Sequence, residues 1–77
     1  MKQLKLTNRE LELVCNLMDG MTNVEIAKSM TISVHTVKSM LESIYCKYEV
    51  HNRVQLVIKI LSDDTLKNYY LNKKNKL

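Results

Sequence analysis

Thr36, Lys38 and Ser39 lie close together and offer two hydroxyls and one ammonium for hydrogen bonding. They fall early in residues 33–48, SVHTVKSMLESIYCKY, where Val37, Leu41, Ile44 and Tyr48 recur at i, i+4, i+7 and i+11. That recurrence marks the buried stripe of a helix, and Ser33 is a side chain suited to cap the orphan N–H groups at its start. The polar groups therefore face outward. An amphipathic helix with donors gathered in its first turns is suited to lie in a major groove and read base edges. Bond-making chemistry is not legible beside it. His35 and Cys46 are eleven residues apart, roughly 16 Å along a helix, too far for a nucleophile and its base. There is no glycine-rich phosphate loop, and no Cys/His pair has ligand spacing. No catalytic residue, metal or cofactor is expected, and an enzyme is a distant reading.

The elements that must position this helix are read from the rest of the chain. Seventy-seven residues, 45% of them hydrophobic, support one domain with one modest core. One glycine, no proline and 5% aromatic residues disfavour hairpins and β-sandwiches. The fold class expected is all-α. Thr7 and Glu10 form a capping box, Leu11, Val14, Cys15 and Met18 an apolar stripe, and Gly20 a stop, giving a helix over about residues 8–19. Thr22 and Glu25 repeat the box and open a helix over about residues 23–30, with Val24, Ile26, Ala27 and Met30 as its core positions. Thr31-Ile32-Ser33 is a tight turn into the third helix, about residues 34–48. A short helix, a three-residue turn and a longer helix is helix-turn-helix spacing.

Asn52 and Gln55 give a box-like start to a fourth helix, about residues 53–62. Val54, Val57, Ile58 and Leu61 are expected to be its core stripe, with Leu56 and Ile60 on an adjoining face. That is more apolar surface than one small core needs, so a self-association face is expected through Leu56, Ile60 and Val57, with burial on one broad face the plainer possibility. Residues 1–62 are taken as the domain. Residues 1–6 are a short lead with Leu4 and Leu6 available to pack back. Residues 63–77 are a basic tail, either a helix extension through Leu66, Tyr69 and Tyr70 or disordered, with Asn-Lys-Lys-Asn-Lys solvated.

The formal charge of +4 is a mild basic excess, half of it in residues 62–77. It is compatible with a polyanionic partner without requiring one. Cys15 and Cys46 are expected to be buried small hydrophobes in a reducing cytosol. The longest apolar run is too short for a bilayer, and no apolar segment follows Met1-Lys2 as in a signal peptide, so a cytoplasmic, nucleoid-associated protein is expected without membrane contact.

Separated motifs then agree in register. Leu6-Thr7-x-Arg9-Glu10, Gly20-x-Thr22-Asn23-x-Glu25-Ile26-Ala27, Ile32-Ser33-x-x-Thr36-Val37-Lys38, Ile44-Tyr45-x-Lys47 and Asn52-Arg53-x-Gln55 resemble the LuxR/GerE-type helix-turn-helix, from about Leu6 to Leu61. The resemblance implies a four-helix bacterial transcription-factor domain whose third helix enters the major groove of double-stranded DNA and whose fourth mediates a homodimer. By position it implies base contacts from Lys38 and Ser39 and phosphate contacts from Asn23, Ser33, Thr36 and Lys47. Glu10 matches a position that braces the scaffold or meets the transcription machinery, RNA polymerase included. Lys28 and Arg53 add candidate electrostatic contacts.

The chain departs from the family pattern at Met40, usually His, and at Tyr48-Glu49-Val50, usually Leu-Gly-Val. Without that glycine, Glu49 must take a conformation that glycine adopts freely. Glu42, one turn beyond Lys38, joins the base-contacting candidates: it repels phosphate, accepts from a cytosine amine, or pairs with Lys38 at i, i+4, the last being favoured. The expected function is a sequence-specific regulator binding a palindrome as a dimer. The alternative class is a protein-interaction module that pairs with a full-length regulator and inhibits it. Met1 and the Lys/Asn-rich end favour a free-standing chain over an excised piece.

Overall fold

The computed structural model describes residues 5–75, and Leu4 lies outside them. Five helices follow in order: α1 Asn8–Met18, α2 Asn23–Met30, α3 Val34–Tyr48, α4 Arg53–Ser62 and α5 Asp64–Asn75. Among the described residues there is no strand, and no helix is long and apolar enough to cross a membrane.

Each start has a local cause. Thr7 accepts from the Glu10 N–H at 3.1 Å while the Glu10 carboxylate accepts from the Thr7 N–H at 2.9 Å. Thr22 and Glu25 repeat this reciprocal box at 3.2 and 2.8 Å. Two orphan donors are satisfied at each start. Asn52 accepts from the Gln55 N–H at 2.9 Å, but the Gln55 side chain accepts from the His51 N–H at 2.8 Å, one residue beyond a true box.

The ends use left-handed residues. Gly20 sits at φ +86, where a Cβ would meet nothing within 4 Å. Thr31 and Glu49 adopt φ 58 and 56, although neither is glycine. Ile32 N–H then reaches Ala27 C=O at 3.0 Å and Val50 N–H reaches Tyr45 C=O at 3.0 Å, closing α2 and α3. Glu49 thus takes the turn that a glycine would make without steric penalty.

The core gathers Leu13, Val14, Ile26, Val37, Ile44, Leu56, Ile60 and Leu66, all essentially inaccessible to solvent. The α3 stripe of Val37, Leu41, Ile44 and Tyr48 is buried, and α2 packs across it with the small Ala27 buried. In α1, Leu13 and Leu17 are buried beside Leu11, Val14 and Cys15, because α2 and α3 both pack on this helix. Leu6 packs into the same core.

Three expectations about burial are overturned. Val24 is 52% exposed, because it lies on the opposite side of α2 from Ile26. Cys46 is exposed; it stands one turn beyond Glu42 on the outward side of α3.

The third correction concerns α4, which is turned over relative to the expected orientation. Leu56 and Ile60 are fully buried and offer nothing to a second molecule, whereas Val54, Ile58 and Leu61 are 67, 58 and 50% exposed. Val57 is half-buried between the two faces. The inward side carries Arg53 as well, and its guanidinium is satisfied there by the Asn23 side chain at 3.1 Å and by the Met21 carbonyl. Holding a guanidinium at a partly buried position requires such acceptors.

The tail is a separate helix. Asp63, in an extended conformation, breaks the chain after α4, and its side chain accepts from the Leu66 N–H at 3.2 Å. Helix α5 packs on α4 and buries Leu66. Tyr70 Oη donates to Asp19 at 2.7 Å and Lys74 Nζ pairs with the same carboxylate at 3.0 Å, tying α5 to the end of α1. Asn72, Lys73 and Lys74 of the Asn-Lys-Lys-Asn-Lys stretch are helical and exposed, and Lys76 lies outside the described residues.

Candidate nucleic-acid interface

Opposite its buried stripe, α3 presents His35, Lys38, Ser39, Glu42 and Cys46, all exposed. Their spacing of i, i+3, i+4, i+7 and i+11 places them on one helical face. The structure brings together Lys38, Ser39 and Glu42 as the residue pattern suggested. It adds His35 and Cys46, which the same period would have placed there had it been applied to the polar side.

Lys38 and Glu42 do not pair. Among the described residues the ion pairs are Arg9–Glu12, Lys47–Glu10 and Lys74–Asp19. Among the described residues Lys38, Ser39 and Glu42 have no side-chain hydrogen-bond partner, so their donors and acceptors remain available to a ligand.

The other candidates are held differently. Ser33 caps α3, accepting from the Thr36 N–H at 3.0 Å, and its hydroxyl lies 2.9 Å from that of Thr36. Both side chains are exposed beside the first-turn N–H groups. A helix N-terminus of this kind favours anionic oxygens. Asn23 is half-buried at the start of α2 and accepts from Arg53 at 3.1 Å, and among the described residues its amide N–H₂ is unengaged. Lys28 is exposed on α2.

Lys47 stands on the flank of α3 toward α1, not on the outward stripe, and donates to the Glu10 carboxylate at 2.6 Å. Ser43, one turn earlier, approaches the same carboxylate at 3.5 Å. Burial pushes the Glu10 carboxyl upward, but the hydrogen bonds from Lys47 and Thr7 outweigh that and hold it below the usual carboxylate range. Glu10 therefore braces α3 against α1. From the neighbouring position on α1, Arg9 donates to the Met30 carbonyl at 2.9 Å, securing the end of α2. The outward stripe of α3 thus rides on a helix fixed to both preceding helices.

This arrangement has a short helix, a tight left-handed turn and a longer helix whose polar face is left open. Comparison with known proteins identifies it: residues 4–60 match the family model described as bacterial regulatory proteins, luxR family. The chain belongs to the LuxR family. It is similar to the transcriptional regulatory protein LiaR of Bacillus subtilis (strain 168), with 40% identity over 53 residues, 69% of this chain and 25% of the relative. It is also similar to the response regulator protein VraR of Staphylococcus aureus (strain NCTC 8325 / PS 47), with 42% identity over 53 residues, again 69% of this chain and 25% of the relative. The chain therefore spans about a quarter of the length of these relatives. No solved structure matches it. The match to the LuxR family ends at residue 60, so α5 lies beyond the shared region.

Proposed function

We propose that this LuxR-family domain is a sequence-specific regulator that places α3 in the major groove of double-stranded DNA. The observation that supports this best is the outward face of α3, where Lys38, Ser39 and Glu42 have no side-chain partner among the described residues while the opposite face is packed. Lys38 and Ser39, with Glu42, read base edges. Ser33, Thr36, the free amide of Asn23 and the remaining N–H groups of Lys47 hold phosphates and set register. A lone domain of this size makes few contacts, so two copies reading two half-sites about one helical turn apart supply the affinity. The exposed apolar stripe of Val54, Ile58 and Leu61 on α4 is the face that joins them, with Val57 at its margin.

Retention of the chain on pooled random duplexes at two salt concentrations tests this. Phosphate neutralisation makes affinity fall steeply with salt. The expected result is salt-sensitive retention, recovery of a palindrome and loss of selectivity in Lys38→Ala. Absence of retention at low salt overturns the DNA reading and favours pairing with a full-length regulator through the same α4 face.

A further inference from the structure

We propose that Glu42 is a base-selecting residue, reading a cytosine about two base pairs from a guanine read by Lys38. This rests on the placement of α3 in the major groove. Most acidic side chains here have work in the fold: Glu10 holds Lys47, Glu12 pairs with Arg9, Asp19 holds Tyr70 and Lys74, and Glu25 closes a capping box. Glu42 has none. Lys38, at the i, i+4 spacing that commonly gives a pair, is not joined to it, and neither is His51, which shares a shallow surface groove with it.

An exposed carboxylate on a helix face that enters DNA needs a donor there. A carboxylate only accepts hydrogen bonds, and the major-groove donors are the cytosine N4 and adenine N6 amines. Adenine sets its N7 acceptor beside that amine, which would face the second carboxylate oxygen, whereas cytosine has no acceptor beside N4. Cytosine is therefore the base that fits. Where it is absent, the carboxylate stands unpaired among phosphates and repels them, so Glu42 weakens wrong sites more than it strengthens the right one. Lys38 is matched to guanine O6 and N7. Four residues along a helix advance roughly 6 Å, close to two base steps of about 3.4 Å each.

Selection from random duplexes with the full chain and with Glu42→Gln and Glu42→Ala tests the assignment. Both substitutions are at an exposed position and leave the core untouched. The wild-type site is expected to carry one fixed cytosine per half-site about two base pairs from a guanine. Glu42→Gln is expected to move that position toward adenine and Glu42→Ala to erase its preference, by about 5- to 150-fold. The rest of the site should be unchanged, and both variants should bind scrambled duplex more tightly. The same base preferences in all three proteins would overturn the role of Glu42 while leaving the regulator reading intact. Failure of the wild-type chain to enrich any site would overturn both.

Discussion

The Lys47 ammonium donates to the Glu10 carboxylate at 2.6 Å across 37 residues of chain, joining the last turns of α3 to the first turn of α1. The Glu10 side chain is 10% exposed and that of Lys47 33%. This pair and the Thr7 cap share one carboxylate, so the start of α1 and the seat of α3 are set together.

Glu10→Gln is therefore expected to lower stability by about 1–3 kcal/mol, because it weakens a charge-assisted hydrogen bond to a partly buried ammonium. The Glu10 carboxyl lies below its ordinary value of 4.5 in the folded state. A depressed carboxyl stabilises the fold above its unfolded value and loses that contribution as pH falls through the folded one. Urea denaturation at neutral pH and at successive values below 4.5 should show a decline in the wild type that is smaller in Glu10→Gln.

The reversed orientation of α4 separates two classes of substitution. Leu56→Ala, at a fully buried site, is expected to cost about 2–5 kcal/mol. Ile58→Asp, at an exposed site, should change monomer stability by about 0.5 kcal/mol or less. It should also abolish self-association and, with it, tight binding to a two-half-site duplex. Sedimentation with and without DNA, alongside thermal unfolding, checks both. A dimer that survives Ile58→Asp would remove the α4 face from the assembly.

Thr31 and Glu49 occupy left-handed conformations at φ 58 and 56. An L-residue there carries a penalty of about 1–2 kcal/mol, part of which glycine returns through its freer unfolded chain. Thr31→Gly and Glu49→Gly are each expected to stabilise the fold by about 0.5–1 kcal/mol, read as a higher urea midpoint. Gly20→Ala should act oppositely, through backbone conformation alone, since nothing crowds the added methyl.

The Asp19 carboxyl is held below the usual range, first by the Tyr70 hydroxyl and then by Lys74. Asp19→Ala should speed amide exchange in α5 while leaving the central turns of α1 to α4 protected. Acidification of the wild type below the ordinary Asp value of 3.8 should loosen α5 in the same way. Uniform exchange across all five helices in the variant would show that α5 is integral to the global fold.

Local signals were legible in the chain itself. A Thr followed three residues later by Glu satisfies two orphan donors at a helix start with atoms that are near in sequence, and both boxes are formed. In α3 the apolar and polar sides contrast so sharply that Val37, Leu41, Ile44 and Tyr48 could face only inward, leaving Lys38, Ser39 and Glu42 outside. The departure at Glu49 was visible only against the glycine that the family resemblance implies there, and the φ of 56 shows that Glu49 makes the left-handed turn in its place. Helix α4 gave less contrast, because its apolar residues spread over an arc broader than one core can cover and leave only Gln55, Lys59 and Ser62 on a polar side. Burial of its Leu56–Ile60 face goes with the docking of α5 and with acceptors for Arg53 from Met21 and from Asn23 at the start of α2. The joining of Glu10 to Lys47, the separation of Lys38 from Glu42 and the docking of α5 on Asp19 have no local signature. They arise from where whole helices come to rest, and only the packed chain decides them.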